Sequence, residues 1–260
     1  MTVRIAAVGD IHVGLDSCGR VGPGLAGAAD CADVLLLAGD LTRSGLYAEA
    51  EVLVDELSGI KVPVVAVLGN HDVHADEGER ITSLLRSGGI HVLEGETVEL
   101  EIDDVSLGVA GVIGFGGGFA GRCASDFGEP EMKAFVRRTI DSAHRLETAL
   151  GELDSDVRVA LKHYSPVVDT LGREPLEIHA FLGSYLLAEA VDRVGADLVL
   201  HGHAHRGSER GMTPGGVKVR NVAQPVIGAP FRVFEIGGEP AHSTSGSSTQ
   251  KTSGRREIRP

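Results

Sequence analysis

Val34-Leu35-Leu36-Leu37-Ala38-Gly39-Asp40 is five apolar residues without a polar break, then a glycine, then a carboxylate. A strand with one face in water alternates apolar and polar residues. An unbroken apolar run of this length is covered on both faces, as in a parallel sheet under helices. The pattern occurs twice more: Val3-Arg4-Ile5-Ala6-Ala7-Val8 runs into Gly9-Asp10-Ile11-His12, and Val62 to Leu68 runs into Gly69-Asn70-His71-Asp72. Between the second and third runs, Leu46 to Leu57 has amphipathic helical spacing and closes at Gly59. Strand, helix and strand in this order predict βαβ units and a parallel sheet under helices.

Further along, a helix is predicted over 77–86, stopping at Gly88-Gly89. Short strands near 91–93, 98–102 and 106–112 have no helices between them, which predicts antiparallel or mixed pairing. Residues 114–128 read as a glycine-rich loop, and 129–150 as a long helix carrying Phe135, Ile140, Leu146 and Leu150 among charges. A buried strand over 157–161 ends at Lys162-His163. A helix over 185–194 precedes a strand over 198–200, which ends at His201-Gly202-His203-Ala204-His205. Strands near 217–222 and 232–236 complete a domain spanning 1–236. Residues 237–260 are rich in Ser, Thr and Gly, with Lys251, Arg255, Arg256 and Arg259 against Glu239 and Glu257. That composition predicts a disordered basic tail.

The chain has 260 residues, 42% of them hydrophobic and 23% charged, which fits a soluble globular protein. A net charge of −13 argues against a bulk duplex DNA binder, and the absence of Trp against a stacking platform for single strands. Cys18, Cys31 and Cys123 are odd in number and lack CxxC spacing, so free thiols in a reducing compartment are expected. The apolar run from Met1 to Val8 is too short for a signal or a membrane span, so a cytoplasmic location without membrane attachment is expected.

Five polar clusters stand at the carboxyl ends of predicted strands, where α/β sheets bind ligands. Asp10 and His12 are two residues apart and share a side of an extended segment, as do His203 and His205. Asp40, Asn70 and His163 stand singly at strand ends. Two carboxylates, one amide oxygen and four imidazoles suit Mn, Fe, Zn or Co and are too nitrogen-rich for Mg or Ca. Seven ligands are too many for one tetrahedral ion and about right for two ions sharing a carboxylate.

Gly9-Asp10-Ile11-His12, Gly39-Asp40, Gly69-Asn70-His71-Asp72, His163 and Gly202-His203-Ala204-His205 together resemble the signature blocks of the calcineurin-like metallophosphoesterase superfamily. The blocks span residues 9 to 205, in order. The resemblance implies a four-layer α/β/β/α sandwich of two mixed sheets flanked by helices, with a dinuclear metal site at the strand ends. It assigns Asp10, His12 and His205 to one ion, Asn70, His163 and His203 to the other, and Asp40 to the bridge. Two transition-metal ions, Mn and/or Fe with Zn or Co as alternatives, are the implied cofactors. Ions about 3.5–4 Å apart clamp the attacking and leaving oxygens of a phosphoryl group and lower the pKa of a bridging water, whose hydroxide attacks phosphorus in line. The family places a histidine at the position of His71, near the substrate phosphate, with Asp72 to orient it. Protonated His71 is then a transition-state stabiliser and general acid.

The blocks Gly69-Asn70-His71-Asp72 and Asp10-Ile11-His12 resemble the branch containing bacterial cyclic-nucleotide phosphodiesterases. A phosphodiesterase on small phosphoesters is therefore expected, with cyclic nucleotides leading. The alternatives are a phosphomonoesterase or nucleotide phosphatase on the same site, and a non-catalytic metal-binding scaffold. A nucleic-acid substrate is disfavoured by charge, and a homodimer is common among relatives. His201 reads as a packing residue. His179, Arg173 and Arg206 are candidate substrate contacts whose ordinary reading is packing or solvation, and Asn221 is a candidate pocket residue. His74, His91, His144 and His242 have no motif partner. No aromatic cap is evident.

Overall fold

The computed structural model describes residues 2–237. The expected basic tail and His242 lie outside the described residues. β1 (Thr2–Val8) leads through two short helices, α1 (Gly22–Ala26) and α2 (Ala28–Cys31), to β2 (Val34–Ala38). α3 (Tyr47–Leu57) carries the chain to β3 (Val64–Val67), and α4 (Gly78–Ser87) to β4 (His91–Val92). The hairpin β5 (Glu96–Ile102) and β6 (Val105–Val112) follows, then the two-residue strands β7 (Gly118–Phe119) and β8 (Arg122–Cys123). α5 (Pro130–Glu152) precedes β9 (Val157–Lys162), and α6 (His179–Leu182) and α7 (Tyr185–Val194) precede β10 (Leu198–His201). β11 (Arg210–Met212), β12 (Lys218–Asn221), α8 (Gln224–Ile227) and β13 (Arg232–Gly237) end the described chain.

Two mixed sheets result, in the orders β13-β1-β2-β3-β4 and β11-β12-β10-β9-β6-β5. Each has a parallel centre. β13 is an antiparallel edge on the first, and β5 and β11 are antiparallel edges on the second. The period-two geometry of a strand explains why the runs are apolar throughout. Val34, Leu36 and Ala38 face the second sheet, packing with Val3, Ile5, Leu107, Val159 and Leu200 between the sheets. Leu35 and Leu37 face the other way, onto Leu53 and Leu57 of α3 and Ile81 and Leu85 of α4. On the outer face of the second sheet, Ala110, Ala160 and Val199 pack under Leu146 and Leu150 of α5 and Leu187 and Val191 of α7. The layers are therefore α/β/β/α, as the family resemblance implied.

Several local readings change. β4 lies in the first sheet, parallel to β3, because α4 provides the crossover that parallel pairing needs. β5 and β6 pair antiparallel, as expected for a hairpin. The glycine-rich loop holds the small hairpin β7–β8. Ile140 of α5 is exposed, and the buried stripe runs instead through Thr139, Ala143, Leu146, Ala149 and Leu150. Among the described residues no helix is long and apolar enough to cross a membrane.

Lys162, at the end of β9, is fully buried and its Nζ has no hydrogen-bond partner among the described residues. Burial pulls its pKa down to about 7, against the opposing charge of Asp192. Between that value and 10.5 the unfolded chain holds a proton that the folded chain does not. Stability therefore rises with pH across this window and is flat below it. Lys162→Met keeps the packing volume and removes the buried amine. It is expected to raise Tm at pH 8 by at least about 5 °C and to abolish the rise in stability above pH 7, both read by thermal melts at several pH values.

Candidate metal centre

β1, β2, β3, β9 and β10 all end at one edge of the sandwich, and each exits into a cluster of polar residues. Backbone hydrogen bonds bind these exits together: Asp10 N–H to Gly39 O at 2.8 Å, and Gly202 N–H to His163 O at 3.1 Å. His163 reaches from the second sheet to the first, its Nδ1–H donating to Ala38 O at 2.9 Å. Of the six non-glycine residues with positive φ among those described, four belong to the expected ligand set: Asp10 at 58°, His12 at 45°, Asp40 at 50° and His203 at 70°. Such conformations are costly and persist where the surroundings impose them. The glycines of the motifs have a packing reason. A Cβ on Gly69 would fall 2.2 Å from Asp40 Oδ1, and one on Gly202 would fall 2.2 Å from Asp10 Oδ2.

Asp10, His12, Asp40 and His205 bring one ligand atom each within 4.8 Å of one another, and Asp40, His163 and His203 do the same. Asp40 belongs to both groups. His205 Nε2 lies 2.7 Å from Asp10 Oδ1, and His163 Nε2 lies 3.3 Å from Asp40 Oδ1. Asn70 joins the second group through Oδ1, 2.9 Å from His163 Nε2. All seven residues expected as ligands thus converge.

The donor set fits two transition-metal ions. With Nδ1–H of His163 held by Ala38 O, its Nε2 is turned toward the centre. His203 donates Nε2–H to Phe181 O at 3.2 Å, which leaves Nδ1 for an ion. Such outer partners fix tautomer and ring angle in metal sites. The charges fit as well. Burial acts to raise the Asp40 carboxyl, but the charge and hydrogen bond of His163 and the His71 N–H hold it well below the usual carboxylate range. His163 is disfavoured as a cation by burial, yet Asp40 draws it up to about 9. Burial pulls His203 down to about 4, and lowers His12. The hydrogen bond to Asp10 raises His205. The carboxylates thus create a field for positive charge, and metal binding displaces protons from such groups.

His71 and Asp72 do not form the expected pair. Asp72 is fully buried and accepts from Leu41 N–H, Thr42 N–H, Thr42 Oγ1–H and Gly69 N–H at 2.6 to 3.1 Å. Burial pushes its carboxyl up, against the hydrogen bonds from Thr42 and Gly69. Its role is to tie the exits of β2 and β3 together and so to hold Asp40 beside Asn70. The expectation that Asp72 orients His71 is corrected here: a backbone carbonyl does so. His71 donates Nδ1–H to Arg43 O at 2.7 Å, and its Nε2 lies 3.9 Å from Asp40 Oδ2 on the open side of the centre. Its backbone N–H donates to Asp40 Oδ1 at 2.8 Å.

Three of the remaining candidates, His201, Asn221 and His179, brace neighbouring segments. Buried His201 donates Nδ1–H to Gly202 O and accepts at Nε2 from Thr170 Oγ1, both at 2.8 Å. Burial pulls it down to about 3, so it is neutral. Asn221 is buried and donates to Ala204 O at 2.8 Å, bracing the loop that carries His203 and His205. His179 is buried, with Nε2–H on Glu174 O at 3.2 Å. Arg173 and Arg206 are exposed and joined through their backbones. His74, His91 and His144 are surface residues, and the three cysteines are free.

An aromatic ledge lies beside His203, gathered from separate segments. The Tyr164 ring sits 4.4 Å from that of His203, Phe115 lies 6.0 Å from Tyr164, and Phe135 lies 5.0 Å from Phe115. Phe181 continues the ledge at 6.3 Å from Phe135. Burial and the Asp40 charge push the Tyr164 hydroxyl up to about 12, so it remains a donor. Tyr164 directly follows His163 at a strand end, and that position is the one sequence feature that marks it. A separate cavity of about 990 Å³ between α4 and β4 is lined by Leu68, Val73, Arg86, Val92, Glu94 and Ile113 and contains none of the seven converging residues.

A family model described as calcineurin-like phosphoesterase matches residues 3–207. No curated protein matches the sequence. Among solved structures, phosphopantetheinyl hydrolase from Mycobacterium tuberculosis is 14% identical, with 93% of this chain and 98% of that chain covered and a TM-score of 0.62. The TT1561 protein of Thermus thermophilus is 19% identical, with 85% of this chain and 89% of that chain covered and a TM-score of 0.53. At these identities the likeness is one of fold.

Proposed function

We propose, since this chain belongs to the calcineurin-like phosphoesterase family and that family uses a dinuclear metal site, that it is a hydrolase of small phosphodiesters. The observation that carries the reading is the pair of ligand groups sharing Asp40. Asp10, His12 and His205 with Asp40 would hold one ion, and Asn70, His163 and His203 with Asp40 the other. Mn and/or Fe are the proposed ions, with Zn or Co as alternatives. When bound, they supply Lewis-acid stabilisation of the phosphoryl oxygens and an activated water.

The residues of the chain support a diester in particular. Among the described residues, the ion pairs of Asp10 and Asp40 are with histidines, and no Lys or Arg reaches either carboxylate. A diester monoanion needs less added positive charge than a monoester dianion. Its alkoxide leaving group needs a proton, which His71 would give. Arg43 O holds Nδ1–H and leaves Nε2 aimed over the centre. Cyclic nucleotides are the first natural substrates to test.

Protein stripped of metal and reloaded with Mn is expected to hydrolyse bis(4-nitrophenyl) phosphate with a kcat/KM at least about tenfold above that for 4-nitrophenyl phosphate. The reverse order makes the protein a phosphomonoesterase on the same centre. Absence of both activities, with two ions bound, removes the diester reading in favour of the scaffold.

A further inference from the structure

The guanidinium of Arg138, on α5, lies 4.5 Å above the Phe115 ring, and Arg138 has no ion-pair partner among the described residues. Glu94, whose carboxyl feels the Arg138 charge, is already engaged: it pairs with Arg145 at 2.8 Å and accepts from Ile113 N–H at 2.7 Å. Arg138 is thus an exposed cation fixed on an aromatic ring and left free on its outer side. The same ledge runs from Phe115 to Tyr164 and on to His203. The Tyr164 hydroxyl has no hydrogen-bond partner among the described residues, and it is not among the sealed polar atoms either. The rings of Tyr164 and Phe115 thus connect His203 with the Arg138 guanidinium.

We propose that Tyr164 and Arg138 form a specificity arm, with Tyr164 donating to an oxygen of the scissile phosphoryl group and Arg138 pairing with a second anionic group on the organic part of the substrate. The inference rests on the phosphodiesterase reading and narrows it. The favoured substrates are small diesters that also carry a carboxylate or a further phosphate. A guanidinium suits either anion. Phe115 and Phe181 supply apolar surface for the intervening chain or ring, Phe181 being 60% exposed.

Binding to the Mn-loaded full chain tests the arm without turnover. The probes are methylphosphonate, with one anionic group, and 3-phosphonopropionate, with two, each titrated calorimetrically. The wild-type protein is expected to hold the second about fivefold more tightly. Arg138→Gln is expected to bring that ratio to about one, and Arg138→Lys to retain part of it. Tyr164→Phe is expected to weaken both probes by about tenfold, the loss of one hydrogen bond to a charged group. A wild-type ratio of one, or a ratio unchanged by Arg138→Gln, overturns the arm. If the ratio behaves as expected while no diester is hydrolysed, the phosphodiesterase reading fails and the arm with it as a diester determinant, leaving Tyr164 and Arg138 as an anion-binding pair only. Diester hydrolysis without the ratio removes the arm and leaves the phosphodiesterase reading in place.

Discussion

Asp40→Ala is expected to abolish diester hydrolysis, lowering kcat/KM by at least about 10³-fold, and to reduce the bound metal below two ions per chain. Asp40 is the residue common to both ligand groups, so its loss opens both at once. Its Oδ1 also accepts from His71 N–H, so the same substitution releases the turn that carries Asn70 and His71. His163, drawn up to about 9 largely by the Asp40 charge, would lose the partner that offsets its burial. Asp40→Asn separates the two effects. The amide keeps an acceptor for His71 N–H but not the negative charge, so the fold is expected to survive while metal and activity are lost. Metal analysis and a thermal melt on the same preparation read both. Full metal content in Asp40→Asn would show that the bridge lies elsewhere.

His71→Ala is expected to lower kcat by about 10² to 10⁴-fold while the protein keeps both ions. The ring does not belong to either ligand group, and its Nε2 stands 3.9 Å from Asp40 on the open side. Leaving groups discriminate the general-acid role from mere contact. With 4-nitrophenolate, which departs without a proton, the loss is expected at the low end of that range. With an alkyl leaving group it is expected at the high end. An equal loss on both would leave His71 a charge stabiliser only, and loss of metal in His71→Ala would make it a ligand. A loss below about tenfold on both would make it a bystander.

The seven converging positions were legible because their chemistry is written locally. A glycine and a polar residue after an apolar run mark a strand end where the backbone turns sharply and a neighbouring chain segment comes close, and Gly69 and Gly202 are small for that reason. The layered fold was legible from the same runs, since Leu35 and Leu36 must each find a separate core. The partner of His71 was not legible. It is the main-chain oxygen of Arg43, and every residue has one, so nothing in the side-chain pattern distinguishes it. Asp72 invited the wrong pairing by its adjacency, whereas its carboxylate is spent on Leu41, Thr42 and Gly69 across the sheet exits. The aromatic ledge escaped for a related reason. Phe115, Phe135, Tyr164 and Phe181 come from separate segments, and only the packing of α5 and α6 against the exit of β9 brings them together. β4 was misplaced because two residues carry too little pattern to reveal which sheet they join.

In the proposed centre two ions share Asp40 and act together on one phosphoryl group. Its most direct test is to titrate Mn into metal-free protein while following diester hydrolysis and bound metal in the same samples. Activity is expected to rise chiefly with the second equivalent and to level off at two ions per chain. Activity that saturates at one ion per chain, or that persists after exhaustive chelation, contradicts the shared centre.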